Sequence, residues 1–376
     1  MSDPSIPVTG AWRPGDPSGR RQFATFFDDA PLALEAGGHI GPVTVAYETW
    51  GELNATGTNA VLVLHALTGD SHAAGTVEPG HVSPGWWDGL IGPGRGVDTD
   101  RWFAVCPNVL GGCQGTTGPS SLTPDGAPYG SRFPVVTPRD QVEVERALAD
   151  HLGIARWGAV IGGSMGGMRA LEWAITYPAR VERLVAIGVG AAATAEQIAL
   201  TAVQNGAIAL DPYFNGGNYY DLHEGPWRGL SVARASGQIA YRTELELDAR
   251  FGRRPQSDEN PLTDGRYAVE SYLQHHGAKI ARRFDANTYV TLSRSMDHHD
   301  VGRGRGGISA ALARISAPTT VVAIDSDRLY PPRLQSELAR GISGAELATI
   351  TSAHGHDAFL LEYDQLNPIL EKALRA

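Results

Sequence analysis

The segment that decides the fold is Trp157-Gly-Ala-Val-Ile-Gly-Gly-Ser-Met-Gly-Gly-Met-Arg-Ala-Leu-Glu-Trp-Ala-Ile175. The apolar run up to Ile161 is typical of a buried strand, and the residues from Met168 onward have the pattern of a helix. Ser164 lies between them with a glycine two positions away on each side, the pattern G-x-S-x-G. Such a sharp strand-to-helix turn strains its central residue and needs neighbours without Cβ atoms. The pattern therefore predicts a serine hydroxyl exposed at the carboxyl edge of a sheet.

Glycine-rich turns of this kind also bind phosphate groups. No Lys-Ser or Lys-Thr follows these glycines, which argues against a Walker-type loop, and no G-x-G-x-x-G with a downstream acid indicates a dinucleotide site. We therefore interpret Ser164 as a candidate nucleophile. The backbone N–H of Met165, near the positive end of the following helix, is then a candidate donor to an oxyanion.

Composition narrows the class of protein. The chain has 376 residues, enough for a substantial core, and 31 Lys and Arg against 41 Asp and Glu give a net charge of −10, which argues against nucleic-acid or anionic-membrane partners. The two cysteines, Cys106 and Cys113, have no metal-site or disulfide spacing. With no leader pattern and no long apolar run, we expect a cytoplasmic protein without a metal site.

The order of predicted elements gives the domain organisation. Residues 1 to about 22 are rich in Pro, Gly and Ser and are predicted to form a loose arm that is laid over the surface or partly disordered. Strands alternate with helices between residues 60 and 188. This alternation predicts an α/β protein with a mostly parallel central sheet flanked by helices. Residues 189–305 are mainly helical in pattern and are predicted to form a helical lid inserted between sheet strands, which separates core residues 1–188 from core residues 306–376.

A serine nucleophile needs an acid and a base, each expected at the carboxyl end of a later strand. The strand predicted at residues 319–324 is followed by Asp325 and Asp327. We favour Asp327 as the acid, because it stands further from the strand end and its side chain can reach across the sheet edge. Asp325, at the strand end, is more naturally a loop cap.

The base has two candidates after the strand predicted at residues 347–350, His354 and His356. We favour His356 because it leads directly into a helix predicted from Asp357 to Arg375, the usual position of the base in this architecture. The paired histidines at 275–276 and 298–299 are alternatives as metal ligands, but adjacent helical residues point apart and no carboxylate spacing accompanies them. We expect these four to be solvated or at the edge of a pocket.

The chain resembles the homoserine O-acetyltransferases, α/β-hydrolase-fold enzymes that use acetyl-CoA in methionine synthesis. The matching blocks follow one another along nearly the whole chain: Val45-Ala-Tyr-Glu-Thr-Trp-Gly-Glu-Leu-Asn54, Leu64-His-Ala-Leu-Thr-Gly69, Asn108-Val-Leu-Gly-Gly, Gly118-Pro-Ser-Ser121, Gly162-Gly-Ser-Met-Gly-Gly167, Ser295-Met-Asp297, Ser326-Asp-Arg-Leu-Tyr-Pro-Pro332 and Gly355-His-Asp-Ala-Phe359. The resemblance implies an acyltransferase that works through an acetyl-serine, with acetyl-CoA as co-substrate and no other cofactor.

The resemblance also implies roles for single residues. Ser164 is the nucleophile, Asp327 the orienting acid and His356 the base, and the N–H groups of Leu67 and Met165 form the oxyanion hole. Leu67 also follows from the architecture, because it lies in the loop after the continuous apolar strand at residues 60–65, where the second oxyanion donor is expected.

The substrate residues implied by the resemblance are Arg234 and Asp357. The arginine would bind the carboxylate of L-homoserine and the aspartate its ammonium group, with Tyr241 a further candidate for the same pocket. The family resemblance also implies a homodimer that associates through the lid.

Three other functions stay open at this stage. The same scaffold supports an esterase or thioesterase, and similar transferases use succinyl-CoA or accept L-serine. Residues 66–68 offer no cation for a succinyl carboxylate, which favours acetyl. A non-catalytic binding protein is the third alternative, against which the complete set of Ser164, Asp327 and His356 argues.

Overall fold

The structure, a computed structural model, describes residues 6–375. Its centre is an eight-stranded sheet with the order β1-β4-β8-β5-β9-β10-β11-β12. The pairs β1–β4 and β4–β8 are antiparallel, and every other pair of neighbouring strands, from β8–β5 to β11–β12, is parallel. The strands are β1 Gln22–Phe26, β2 Leu32–Ala33, β3 His39–Ile40, β4 Val43–Trp50, β5 Ala60–Leu64, β6 Ile91–Gly92, β7 Val97–Asp98, β8 Phe103–Pro107, β9 Ala159–Gly163, β10 Leu184–Ile187, β11 Thr319–Ile324 and β12 Glu346–Ile350. The predicted α/β-hydrolase sheet is confirmed.

Ten α-helices occur in the described part of the chain. They are α1 Pro138–His151, α2 Met165–Thr176, α3 Ala195–Ala209, α4 Trp227–Tyr241, α5 Glu244–Arg250, α6 Ala268–Ala281, α7 Ala286–Asp297, α8 Ile308–Leu312, α9 Pro332–Gly341 and α10 Tyr363–Arg375. Short 3₁₀ turns lie at Gly130–Arg132, Pro178–Arg180, Asn215–Gly217 and Gly355–Leu360.

The strand sequences explain why helices cover both faces of the sheet. Every residue of β5 and β9 is buried, as the continuous apolar runs predict. Alternate residues face opposite sides: Leu62 packs in a cluster with Leu171 of α2, whereas Val63 packs in a second cluster with Leu370 of α10. Two apolar layers therefore hold the sheet rigid beneath its carboxyl edge.

Helices α3 to α7 lie within the predicted lid, residues 189–305, which we call the lid segment. Its apolar side chains form a third cluster, which includes Leu230 and Tyr289 and also Leu67 and Met165 from the sheet side. The lid segment therefore packs directly on the loops at the carboxyl edge of the sheet.

One sequence prediction about the chain ends needs correction. The single closing helix from Asp357 to Arg375 is wrong, because a 3₁₀ turn, Gly355–Leu360, precedes α10. At the other end, residues 6–21 form an arm over the surface that is anchored at two points: the Thr9 hydroxyl donates to Asp285 at 2.8 Å, and the Trp12 backbone N–H donates to the Cys113 carbonyl at 2.9 Å. Residues 1–5 of that arm lie outside the described residues. Among residues 6–375, no helix combines the length and the apolar character needed to span a bilayer.

Candidate active site

The turn at Ser164 has the strained geometry that the glycine pattern predicts. Ser164 has φ 55° and ψ −123° at the junction of β9 and α2. A Cβ on Gly166 would lie 2.0 Å from the Leu64 carbonyl oxygen, and one on Gly162 would lie 2.2 Å from the Gly166 carbonyl oxygen. The two glycines therefore let the first turn of α2 sit directly against β5 and β9, which holds the serine at the sheet edge.

The structure brings together the serine, histidine and aspartate selected from the sequence. Nε2 of His356 lies 2.8 Å from Oγ of Ser164, and its Nδ1 lies 2.6 Å from Oδ2 of Asp327. All three side chains are at least 95% buried. The arrangement can move a proton from the serine to the imidazole while the carboxylate holds the ring.

Asp325 and His354, the alternatives for the acid and the base, have partners other than Ser164 and His356. Oδ1 of Asp325 accepts a hydrogen bond from the Ser352 N–H at 3.1 Å, which is the loop-capping role expected of it. The ring of His354 faces Arg242 at 3.4 Å and Glu246 at 3.6 Å. Neither residue contacts Ser164.

Aromatic residues enclose the imidazole of His356. The ring of Tyr330 stacks on it with centroids 5.0 Å apart, and Phe359 meets it edge-on at 5.5 Å. Burial acts to lower the pKa of His356, but the charge and hydrogen bond of Asp327 outweigh it and raise that pKa above its ordinary value. The imidazole is therefore a stronger base than a histidine in water.

The predicted oxyanion donors come from the turn after β5 and the start of α2. The Gly69 N–H donates to the Ala66 carbonyl at 2.9 Å, and this closes a tight turn with Leu67 at its second position, where the N–H is not used by the turn. Met165 is the first residue of α2, so its N–H has no acceptor within the helix. Leu67 and Ser164 line the same cavity.

A buried ion pair, which the sequence analysis did not identify, contacts the start of the turn that carries Leu67. Arg169 of α2 pairs with Glu145 at 2.5 Å and donates to the backbone carbonyl of His65 at 2.6 Å. The ring of His65 in turn contacts the Ala66 carbonyl and the Val109 N–H, and burial lowers its pKa to about 3, so it stays neutral. Arg169 therefore ties α1 and α2 to the turn that carries Leu67, although its own sequence position gives no sign of this.

The predicted substrate residues of α4 line the cavity above Ser164. The guanidinium of Arg234 lies 5.6 Å from the centroid of the Tyr241 ring, and its Nη1 lies 3.4 Å from the hydroxyl of Thr68. Tyr241 is 6.1 Å from the ring of His356, centroid to centroid. Both residues line the cavity that Ser164 and His356 also line.

The predicted substrate aspartate already has a cation partner. Oδ2 of Asp357 lies 3.2 Å from Nε of Arg242, a residue that the sequence analysis did not single out. Arg242 directly follows α4, so the helix that carries Arg234 and Tyr241 also positions the partner of Asp357. The local sequence around Arg242 gives no sign of this pairing, because the pairing depends on where α4 lies against the turn that carries Asp357.

The cavity has a volume of about 110 Å³ and is built jointly by the sheet edge and the lid segment. Ser164, His356 and Asp357 contribute from the sheet side. The lid segment contributes apolar and polar side chains that the sequence analysis left unassigned: Gln197, Leu200, Thr201, Gln204, Ser293, Met296 and Asp297. Residues of the sheet edge and of the lid segment therefore share one small cavity next to Ser164.

One cluster among the described residues has the composition of a metal site, formed by Glu48, His72 and His81. Nδ1 of His72 lies 2.9 Å from the Glu48 carboxylate, but the two imidazole rings are stacked with centroids 3.8 Å apart and planes 10° from parallel. A metal ion must lie in the plane of each ligating ring, and two stacked parallel rings share no such point. The arrangement fits a charge-stabilised histidine on Glu48, not a metal ligand set.

The paired histidines His298 and His299 lie in different surroundings. His298 is exposed, whereas His299 is buried and its Nε2 lies 2.9 Å from the Gly190 carbonyl oxygen. The expectation of a solvated or pocket-edge position is therefore wrong for His299. A backbone carbonyl at the start of the lid segment provides the hydrogen bond that permits its burial.

Comparison with known proteins places this geometry in a family. The family model described as the alpha/beta hydrolase fold matches residues 59–363. A homoserine O-acetyltransferase of Thermobifida fusca is 57% identical over 373 residues, which cover 99% of this chain and 98% of the relative. The chain belongs to the homoserine O-acetyltransferase family.

Further relatives agree with this placement. A homoserine O-acetyltransferase of Mycolicibacterium smegmatis is 52% identical over 91% of this chain and 90% of its own length. Among solved structures, homoserine O-acetyltransferase from Bacillus anthracis has a TM-score of 0.87 and 29% identity, covering 95% of this chain and 97% of that one. Esterase E22 has a TM-score of 0.86 and 30% identity, covering 94% and 99%. Transferases and esterases therefore share this architecture, and side chains must distinguish them.

Proposed function

We propose that this protein transfers the acetyl group of acetyl-CoA to the hydroxyl of L-homoserine, giving O-acetyl-L-homoserine and CoA for methionine synthesis. The observation that carries the proposal is the hydrogen-bonded series Ser164–His356–Asp327 beside a cavity lined by Arg234. The 57% identity to a homoserine O-acetyltransferase supports the choice of reaction.

In the first half-reaction, Oγ of Ser164 attacks the thioester carbonyl carbon while its proton passes to Nε2 of His356. The carbonyl oxygen becomes negative and accepts hydrogen bonds from the N–H groups of Leu67 and Met165. When the intermediate collapses, the carbon–sulfur bond breaks and the CoA sulfur takes the proton from His356. An acetyl ester on Ser164 remains, and no cofactor other than the co-substrate is needed.

In the second half-reaction, His356 takes the proton of the homoserine hydroxyl as its oxygen attacks the acetyl carbonyl carbon. The same two N–H groups stabilise the second oxyanion. Collapse breaks the bond to Ser164, whose oxygen recovers the proton from His356. The cycle is ping-pong, because CoA leaves before homoserine reacts.

The ends of homoserine match two charged residues of the cavity. Arg234 would bind the carboxylate, because a guanidinium can donate two parallel hydrogen bonds to it. Asp357 would accept from the ammonium group while it keeps its contact with Arg242, since a carboxylate has lone pairs for both. Tyr241 lines the same cavity, with its ring 5.6 Å from the Arg234 guanidinium, and would contact the apolar part of the substrate.

The decisive experiment compares CoA release with and without an acceptor. We expect purified protein to release CoA from acetyl-CoA much faster with L-homoserine than with water or L-serine, and to form O-acetyl-L-homoserine in equal amount. Equal rates with and without homoserine would establish the esterase alternative. The matched control is Ser164→Ala, which should stay folded and release no CoA.

We also propose that the protein is a cytoplasmic homodimer that associates through the lid segment. Its α3 and α4 expose large apolar side chains, including Val203 at 65% and Val232 at 58% of their full exposure. Exposed apolar groups on neighbouring helices favour association. Light scattering should give twice the mass of one chain, and Val203→Lys with Val232→Lys should lower it to one chain; a monomeric parent protein would contradict the proposal.

A further inference from the structure

Arg283 lies in the loop between α6 and α7 of the lid segment and is half-buried, and the mechanism above does not use it. Its Nη1 donates to the backbone carbonyl of Thr68 at 2.9 Å, in the turn that carries Leu67. Among residues 6–375, no carboxylate lies within 4.0 Å of its guanidinium. The positive charge of Arg283 is therefore directed at a peptide carbonyl and not at an ion-pair partner.

The backbone of Arg283 is itself held by the core. Its carbonyl oxygen accepts a hydrogen bond from Nε2 of Gln114 at 2.7 Å, and Oε1 of Gln114 accepts from the guanidinium of Arg21 at 3.1 Å. Gln114 and Arg21 are both at least 91% buried. The side chain of Arg283 therefore reaches Thr68 from a fixed starting point.

Two peptide groups of the turn lie in series between Arg283 and the predicted oxyanion donor. Both are trans, so in each the C=O and the N–H point in opposite directions. The carbonyl of the Thr68–Gly69 group accepts from Arg283. The N–H of the same group donates to the Ala66 carbonyl at 2.9 Å. That carbonyl belongs to the Ala66–Leu67 group, so the direction of the Leu67 N–H follows from the two hydrogen bonds before it.

The sheet side supports the second of these peptide groups. The Val109 N–H donates to Nε2 of His65 at 3.0 Å, so the proton of the neutral ring is on Nδ1, which donates to the Ala66 carbonyl at 2.8 Å. The turn is thus held from the core by a neutral ring and from the lid segment by a guanidinium, which carries a full positive charge.

Hydrogen bonds in series polarise one another. A carbonyl that accepts from a cation makes the N–H of its own peptide group a stronger donor, and the next carbonyl in the series passes the effect on. The series that begins at Arg283 ends at the N–H of Leu67, where the negative charge of the tetrahedral intermediate develops. Arg283 lies outside the lining of the cavity beside Ser164, so it would act through the turn and not by contact.

We propose that Arg283 is a positioning residue for the oxyanion hole, which orients the Leu67 N–H and strengthens it as a donor through the two peptide groups between them. The inference rests on the proposed function and adds a residue of the lid segment to the stabilisation of both tetrahedral intermediates. It gives Arg283 no contact with the reacting atoms and no part in proton transfer.

The test compares two acyl donors that share the acetyl group. Acetyl-CoA gives a burst of CoA, and p-nitrophenyl acetate, which has no CoA portion, gives a burst of p-nitrophenolate; both bursts report attack by Ser164. We expect Arg283→Met to slow the two bursts by the same factor, about tenfold, since complete loss of one oxyanion donor costs about a hundred- to a thousandfold. The KM for L-homoserine should not change.

Two further variants complete the comparison. Arg282→Met, which removes the exposed arginine next in the chain, is the matched control and should keep the parent burst rates. Arg283→Lys keeps a cation and should slow both bursts less than Arg283→Met does. If Arg283→Met does not fold, equal slowing of the two bursts in Arg283→Lys remains the prediction to be tested.

Three results would overturn the role of Arg283. Bursts that do not slow with either donor are the first, and a loss in Arg283→Lys as large as that in Arg283→Met is the second. The third is a burst slowed with acetyl-CoA alone, which would assign Arg283 to binding of the CoA portion. If the parent protein forms an acetyl-serine but does not acetylate L-homoserine, the proposed function is wrong, and the burst comparison still tests Arg283.

Discussion

Oδ2 of Asp327 lies 2.6 Å from Nδ1 of His356, while its other oxygen, Oδ1, accepts hydrogen bonds from the N–H groups of Leu329 and Tyr330 at 2.8 Å each. The carboxylate is thus fixed by its own loop before it meets the imidazole. Since Nδ1 of the ring must donate to Asp327, Nε2 is left free to accept the proton of Ser164.

This contact predicts that Asp327→Asn loses most activity without unfolding. An amide can donate to Nδ1 and so favour the wrong tautomer, and we expect kcat to fall about ten-thousand-fold. Asp325→Asn is the matched control, because Asp325 only caps a loop at Ser352 and should retain nearly full activity. Steady-state kinetics on both variants, with circular dichroism to check folding, tests the assignment; equal losses would reverse it.

The raised pKa of His356 predicts the acid side of the pH profile. The base must be neutral to accept a proton, and Asp327 favours the charged form of the ring. Activity should therefore decline, as pH falls, with a midpoint above the ordinary histidine value of 6.5. In Asp327→Asn the midpoint should move down. A parent midpoint below 6.5 would contradict the electrostatic role assigned to Asp327.

Arg234 should act on homoserine binding and not on acetylation of the serine. Arg234→Met removes a charged hydrogen-bonding partner of the substrate carboxylate, and we expect KM for L-homoserine to rise about ten- to a hundredfold. The burst of CoA release that accompanies acetyl-serine formation should persist. Arg253→Met is a suitable control, since Arg253 is an exposed arginine of the lid segment. A lost burst in Arg234→Met would indicate a structural role.

The ion pair of Arg169 and Glu145 predicts a large effect on stability. Both side chains are at least 97% buried, and Arg169→Met leaves the Glu145 carboxylate without its cation. Breaking a buried pair on one side costs about 3–5 kcal/mol of unfolding free energy. Arg132→Met, which breaks an exposed pair with Asp125, should change it by less than about 1 kcal/mol. Urea unfolding of the two variants gives the comparison.

Local pattern and strand order were enough to predict the catalytic candidates. Ser164 follows from the glycine spacing together with the absence of a Walker-type or dinucleotide-binding pattern around it. Asp327 and His356 follow because the carboxyl ends of parallel strands meet at one edge, so the search reduces to a few residues after β11 and β12.

Other features of the site depend on contacts that no local pattern records. Arg242 pairs with Asp357 and Asp297 enters the cavity only because of how the lid segment is placed on the sheet. Thr9 binds Asp285 across 276 positions of the chain, which a composition rich in Pro, Gly and Ser gave no reason to expect. The 3₁₀ turn Gly355–Leu360, which precedes α10, carries both His356 and Asp357, and both residues line the cavity.

Ser164 and His356 are 192 positions apart, and the whole lid segment lies between them in the chain. During synthesis, the nucleophile, the oxyanion donors and the lid helices are complete before β12 and the turn that carries the histidine exist. An unfinished chain therefore holds a serine with no base and cannot consume acetyl-CoA. Activity therefore begins only once synthesis has passed β12 and the turn that carries His356.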